Sequence, residues 1–305
     1  VVESGRFHAP ANSPGRGIAF LLLGTAILTM NDTILKWLTS GYPTGQLLFM
    51  RSVFVVLPIT LLVWRMGGLA ALRVNDLKAH ALRGAFVVGS AFCFVTGLRY
   101  LPLADAIAIT FAGPLFITAL AAPVLKETVG WRRWTAVLVG FVGVLVMTRP
   151  AGGAIQLAAL WPLAATFFGA LRDLTTRHIS TGESSISLLC TSTAALTVAG
   201  LATAPFGWQP IAPADLGLMA AGGILVGSAH FLMIECFRLA EAGLLAPFKY
   251  SNMVWAILFG FIVWGEFPDA WTLTGAAFVV ASGLYILRRE SRLAPPRAEP
   301  PVTGT

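Results

Sequence analysis

Residues 17–38 read GIAFLLLGTAILTMNDTILKWL. The run is long enough to cross a bilayer core, which takes about 20 apolar residues. It also carries an acid and a base, Asp32 and Lys36, one helical turn apart on one face. The same arrangement returns as Asp173 and Arg177 at an offset of 141 residues (32 to 173, 36 to 177), and Ser40-Gly41 then matches Thr181-Gly182. At an offset of 139 (99 to 238, 111 to 250, 127 to 266), Arg99 matches Arg238, Phe111 matches Tyr250 and Glu127 matches Glu266. Trp131 with Trp271 and Gly143 with Gly283 follow at 140 (131 to 271, 143 to 283). Chance in an apolar sequence can supply single matches, but not a consistent offset along the whole chain.

Composition agrees with a chain solvated by lipid. Of 305 residues, 56% are hydrophobic and 11% charged, where a soluble domain is about a quarter charged. Mean hydropathy is +0.78. Ten apolar runs are expected as helices over Gly17–Leu38, Thr44–Trp64, His80–Tyr100, Leu103–Leu125, Trp131–Thr148, Leu157–Ile179, Ser184–Ala204, Leu216–Leu239, Leu244–Trp264 and Trp271–Leu287. They use roughly 200 residues, so neither a large ectodomain nor an attached nucleotide-hydrolysing domain is expected within these 305 residues. The expected fold is an all-α integral membrane protein of ten transmembrane helices, built as two inverted five-helix repeats over 17–149 and 150–290. Five is odd, so the second copy enters the membrane from the opposite side. Inverted repeats let a carrier exchange inward-open and outward-open shapes at low cost.

The net charge of +7 reads as orientation rather than nucleic-acid binding. With the N-terminus in the cytoplasm, only Lys36, Arg99 and Arg149 fall on the far side. Arg51, Arg172 and Lys249 fall inside helices, and the rest of the 21 Lys and Arg share the cytoplasmic side. Both termini are therefore expected in the cytoplasm, with residues 1–16 as a tail, residues 291–305 as a disordered tail, and the first apolar run as a retained helix rather than a signal peptide. Cys93, Cys190 and Cys236 sit in apolar runs and suggest no disulfide framework. No cofactor or metal is expected. Duplication within one chain is compatible with a functional monomer.

The sequence resembles the EamA-type carriers of the drug/metabolite transporter superfamily. The residues that carry the resemblance are Leu103-Ala104-Asp105-Ala106 leading into Phe111-Ala112-Gly113-Pro114, then Lys126-Glu127. In the second half they are Ala242-Gly243-Leu244-Leu245-Ala246-Pro247, then Gly265-Glu266. Asn31-Asp32-Thr33-Ile34-Leu35-Lys36-Trp37, with Gln46 and Arg51, resembles bacterial members linked to uptake of riboflavin or S-adenosylmethionine. The resemblance implies a secondary carrier for a small organic metabolite in the bacterial inner membrane; the family also includes amino-acid exporters. Two readings from other classes stand beside it, an intramembrane enzyme and a non-transporting scaffold. The chain has no H-E-x-x-H, no G-x-S-x-G and no protease-like aspartate pair, so no enzyme is expected.

Charge inside a membrane helix costs a few kcal/mol and points to function. Asp32 and Arg51 either face a cavity and bind a polar or zwitterionic substrate, or lock the first two helices as an ion pair. Arg172 and Asp173, being adjacent, point about 100° apart and are not expected to face one spot. Asp173 can pair with Arg177, and Glu235 with Arg238, along their own helices. Pro247 loosens the backbone so that Lys249 could face the cavity. Phe111 and Tyr250 are candidate aromatic walls, or ordinary packing. His230 could relay protons or be a structural histidine, since Gly223-x-x-x-Gly227 on the same helix is a close-packing motif. Lys36 is expected to snorkel, and Glu127 and Glu266 to complement the N-termini of the helices that follow them.

Overall fold

The computed structural model describes residues 14–65, 68, 72–125, 131–148, 154–179, 183–240 and 242–293. Its helices are α1 Pro14–Leu38, α2 Thr44–Arg65, α3 Leu77–Leu98, α4 Leu103–Thr110, α5 Gly113–Leu125, α6 Trp131–Thr148, α7 Ala154–Ile179, α8 Ser185–Leu201, α9 Pro213–Leu239, α10 Ala242–Leu245, α11 Ser251–Trp264 and α12 Ala270–Leu293. Six stretches are long and apolar enough to cross a membrane, and four shorter apolar helices complete a ten-span bundle. Apolar side chains such as Leu57, Phe261 and Ile262 are exposed on its outer face. Lipid, which gains nothing from polar cover, accounts for that exterior.

Two expected helices are broken, each by a proline. Pro114 has no N–H to return to Thr110, so the ladder tightens. Phe111 and Ala112 donate three residues back, to Ala108 and Ile109, and α4 hands over to α5. In the ninth span Pro247 lies in a 3₁₀ turn, Ala246–Tyr250, between α10 and α11. Phe111 and Tyr250, the matched positions of the repeat, sit at these two breaks. Other boundaries shift slightly. Pro14 opens α1 as a first-turn proline, so the expected tail ends before residue 14. The last helix runs on to Leu293, past the expected end at Leu287.

The packing has an approximate two-fold pattern. α1 packs on α9 as α7 packs on α3, while α2 meets α8 and α6 meets α12. Near glycines the backbones come close enough to show direction. Gly45 faces Thr203 while Gly200 faces Phe49; Gly143 faces Phe278 and Val279 while Gly275 faces Met147. α2 and its counterpart α8 therefore run antiparallel, as do α6 and α12. Corresponding helices of opposite direction are what inversion of one copy produces.

Candidate functional site

The two ends of the bundle differ. At the end carrying the α1–α2 and α8–α9 connections, polar side chains seal the structure. Lys36 Nζ donates to Glu266 Oε1 and Oε2 at 2.9 and 2.6 Å and lies 4.6 Å over the Trp264 ring. Trp37 packs against Trp264. Tyr42 donates to Asp215 at 2.7 Å, and Gln46 exchanges two bonds with the Gln209 backbone. Lys36 therefore does not snorkel. Its ammonium sits beside a carboxylate and an aromatic face, which hold it better than the interface would. Glu266 does not cap the helix after it. Asp269 does so, accepting from the Thr272 N–H at 2.8 Å, while Glu266 accepts from Leu103 N–H at the start of α4.

From the middle toward the other end, a cavity of about 700 Å³ opens between the two helix sets. Its wall reaches Arg83, six residues into α3, and Leu188, three residues into α8. Pockets of this size accommodate metabolites. The loops at this end are joined by Glu183, whose Oε1 accepts from the N–H groups of Asn75 and Asp76 and whose Oε2 lies 3.3 Å from His80 Nε2. Burial works to raise the Glu183 pKa, but the two backbone donors and His80 outweigh it and hold the carboxyl below its usual value.

Asp32, Arg51, Arg172, Asp173 and His230 all line this cavity. Asp32 is buried and accepts from Asn31 Nδ2 at 3.0 Å. Arg51 is near enough for the two charges to attract. The two form no direct ion pair within 4.0 Å, and among the described residues nothing accepts a hydrogen bond from the Arg51 guanidinium. Arg51 lines the cavity, and its five donors have no acceptor among the described residues. Arg172 and Asp173 do meet, contrary to the 100° argument: Nε and Nη2 of Arg172 lie 2.8 and 2.7 Å from Asp173 Oδ1. The long arginine stem bends back across the angle that separates the two Cα–Cβ bonds. His230 Nδ1 lies 2.7 Å from the Val226 carbonyl. That oxygen can only accept, so Nδ1 carries a proton and a neutral ring leaves Nε2 as an acceptor. Gly223 and Gly227 face α2 instead, against Arg51, Phe54 and Pro58.

Phe111 and Tyr250 do not line the cavity. They meet edge-on, ring centroids 5.1 Å apart at 81°, and join the two helix breaks to each other. Glu235 and Lys249 are also absent from the cavity wall. Glu127 and the side chains of Arg177 and Arg238 lie outside the described residues. Sequence reading missed Arg83, a wall residue, because it stands near a helix start where a basic residue reads as orientation. Among the described residues, no three His, Cys, Asp or Glu side chains are placed to hold a metal.

Residues 15–149 match the EamA-like transporter family, and relatives named as transporters or exporters align over about nine-tenths of the chain. Over this first five-helix half the chain is similar to the EamA-like transporter family. It is a multi-pass membrane transporter, not an enzyme, and its partners are a small-molecule substrate and the lipid bilayer. An S-adenosylmethionine uptake transporter of Rickettsia prowazekii is 27% identical over 279 residues, covering 90% of this chain and 94% of that one. A riboflavin transporter of Rhizobium johnstonii is 27% identical over 280 residues, 90% and 92% of the two chains. A pseudopaline exporter of Pseudomonas aeruginosa is 25% identical over 277 residues, 89% and 96% of the two. A solved crystal structure at 18% identity superposes with a TM-score of 0.63 over 91% of this chain and 99% of the other, a likeness of fold.

Proposed function

We propose that this EamA-like protein is a secondary carrier that moves an amphoteric organic metabolite across the bacterial inner membrane by alternating access, working as a monomer. The cavity reaches one end while the Lys36–Glu266 pair closes the other. Placed by the basic loops, with both termini inside, the open end faces the cytoplasm. The observation that carries the reading is Arg51. A guanidinium without an acceptor among the described residues, beside a buried Asp32 and in the wall of a metabolite-sized cavity, is a poor structural element and a good ligand group. Asp32 would take a cationic group of the substrate and Arg51 its acceptor atoms.

Wall charges of both signs favour S-adenosylmethionine, which carries a carboxylate, an ammonium and a sulfonium, over uncharged riboflavin. Both are named for relatives, and uptake is the direction proposed. The relative named as an exporter supports a second reading, metabolite or amino-acid export, through the same cavity. The test is flux of radiolabelled S-adenosylmethionine and riboflavin in proteoliposomes. Accumulation of S-adenosylmethionine above protein-free vesicles, lost in D32N and R51Q, is expected. Flux of neither compound in either direction by folded protein contradicts the uptake reading.

A further inference from the structure

Arg83 donates Nε–H to Thr176 Oγ1 at 2.6 Å, and Nη1 to the Leu188 carbonyl at 3.0 Å and to Ser192 Oγ at 2.5 Å. All three acceptors are neutral. Among the described residues, no carboxylate lies within ion-pair distance of the guanidinium. The nearest charges are Arg172, which repels it, and Asp173, which attracts it from beyond contact. Asp173 is itself engaged with Arg172. Arg83, Arg172 and Asp173 together leave one positive charge uncompensated in a partly dry wall. The three bonds consume Nε–H and both Nη1 hydrogens, which fixes the guanidinium plane between α3, α7 and α8. Among the described residues, neither Nη2 hydrogen has an acceptor, in a side chain that lines the cavity.

A positively charged group held rigid by neutral partners, with an unused pair of donors, suits an oxyanion. We propose that Arg83, positioned by Thr176 and Ser192 and reinforced by Arg172, forms an oxyanion subsite at the mouth of the cavity. It would bind a carboxylate or phosphate borne by the substrate, while Asp32 and Arg51 hold the rest deeper in. The proposal rests on the carrier reading and adds a second recognition point to it. An arginine serving only to tie three helices together needs no uncompensated charge, and a hydroxyl-to-carbonyl network would do the same.

The test is calorimetric titration of purified full-length wild type, R83Q and R83K with two matched ligand pairs. S-adenosylmethionine against its decarboxylated form isolates a carboxylate; flavin mononucleotide against riboflavin isolates a phosphate. Wild type is expected to bind the oxyanion-bearing member of one pair about ten-fold or more tighter than its partner, the size of a charge-assisted hydrogen bond. That pair identifies the oxyanion. R83Q is expected to bring the ratio to within about two-fold and R83K to keep part of it, by the same charge argument. Equal wild-type binding of both members of both pairs overturns the proposal. So does discrimination that survives R83Q, or no binding of any of the four at millimolar concentration. Equal wild-type binding overturns the proposal even if R83Q does not fold, and R83K then reports whether the discrimination belongs to Arg83 or to Arg51. Liposome flux separates the two readings, because a protein that carries both members of a pair equally well is a carrier without this subsite.

Discussion

Lys36 and Glu266 lie 230 positions apart in the chain, yet their side chains meet at 2.6 Å and close the end of the bundle opposite the cavity. The pair joins α1 of the first half to the loop before α12 in the second. Any motion that opens this end must separate them. Their side chains are 10% and 32% exposed, so the pair is worth about 1 kcal/mol, small enough to be broken within a transport cycle.

K36A and E266Q are therefore expected to raise the population open at the Lys36 end by about five-fold. A single cysteine at Asn252, in the cavity wall, reports on this in a background lacking Cys93, Cys190 and Cys236. Labelling by a membrane-impermeant maleimide from the Lys36 side should be faster in either variant than in its parent. Unchanged labelling in both would show that the pair does not control access.

Asp32 and Arg51 should behave as ligand groups. D32N and R51Q are each expected to weaken substrate binding by about ten-fold or more, as loss of a charge-assisted hydrogen bond does. A double-mutant cycle on thermal stability should give a coupling of about 1 kcal/mol or less. A coupling of about 3 kcal/mol or more, with binding intact, would mark them as a structural lock.

Glu183 sets a pH dependence at the open end. Its carboxyl titrates below its ordinary value in the folded protein. The unfolded chain therefore takes up the proton first as pH falls. The stabilisation is full above the unfolded pKa and disappears as pH drops through the lower, folded one. Melting temperature of wild type should fall over that acid window, and E183Q should flatten the fall. An identical acid slope in E183Q would remove Glu183 from the account.

Gly223 lies where α9 touches α2. A Cβ there would stand 2.7 Å from the Arg51 carbonyl oxygen and 2.5 Å from Phe54 Cβ. G223V is expected to destabilise the protein by about 1–3 kcal/mol and to displace Arg51, so the melting temperature should fall and substrate affinity with it. A variant with parental melting temperature and affinity would show that the helices separate freely here.

Much of this architecture was legible before any coordinates. Hydropathy separates ten runs because lipid demands length and apolar faces together, and the offset linking Asp32 to Asp173 exposes the duplication. Both helix breaks were marked by proline, at Pro114 and Pro247. Asp32 and Arg51 stood out because charge inside an apolar run needs a reason. Facing was not legible for Lys249, since the 3₁₀ turn that contains it changes the angular register before α11 begins. Nor was the Lys36–Glu266 pair, which is created only when the two halves close on each other. Arg83 was hidden among orientation charges, because nothing in its spacing says that the cavity reaches so close to the end of α3.

Counterflow tests the carrier claim most directly. Proteoliposomes are preloaded with unlabelled S-adenosylmethionine and diluted into tracer. A protein that exposes one cavity to one side at a time should accumulate tracer transiently above its equilibrium level, and D32N should abolish the overshoot. Tracer that only rises to equilibrium, or never enters, would contradict alternating access for this substrate.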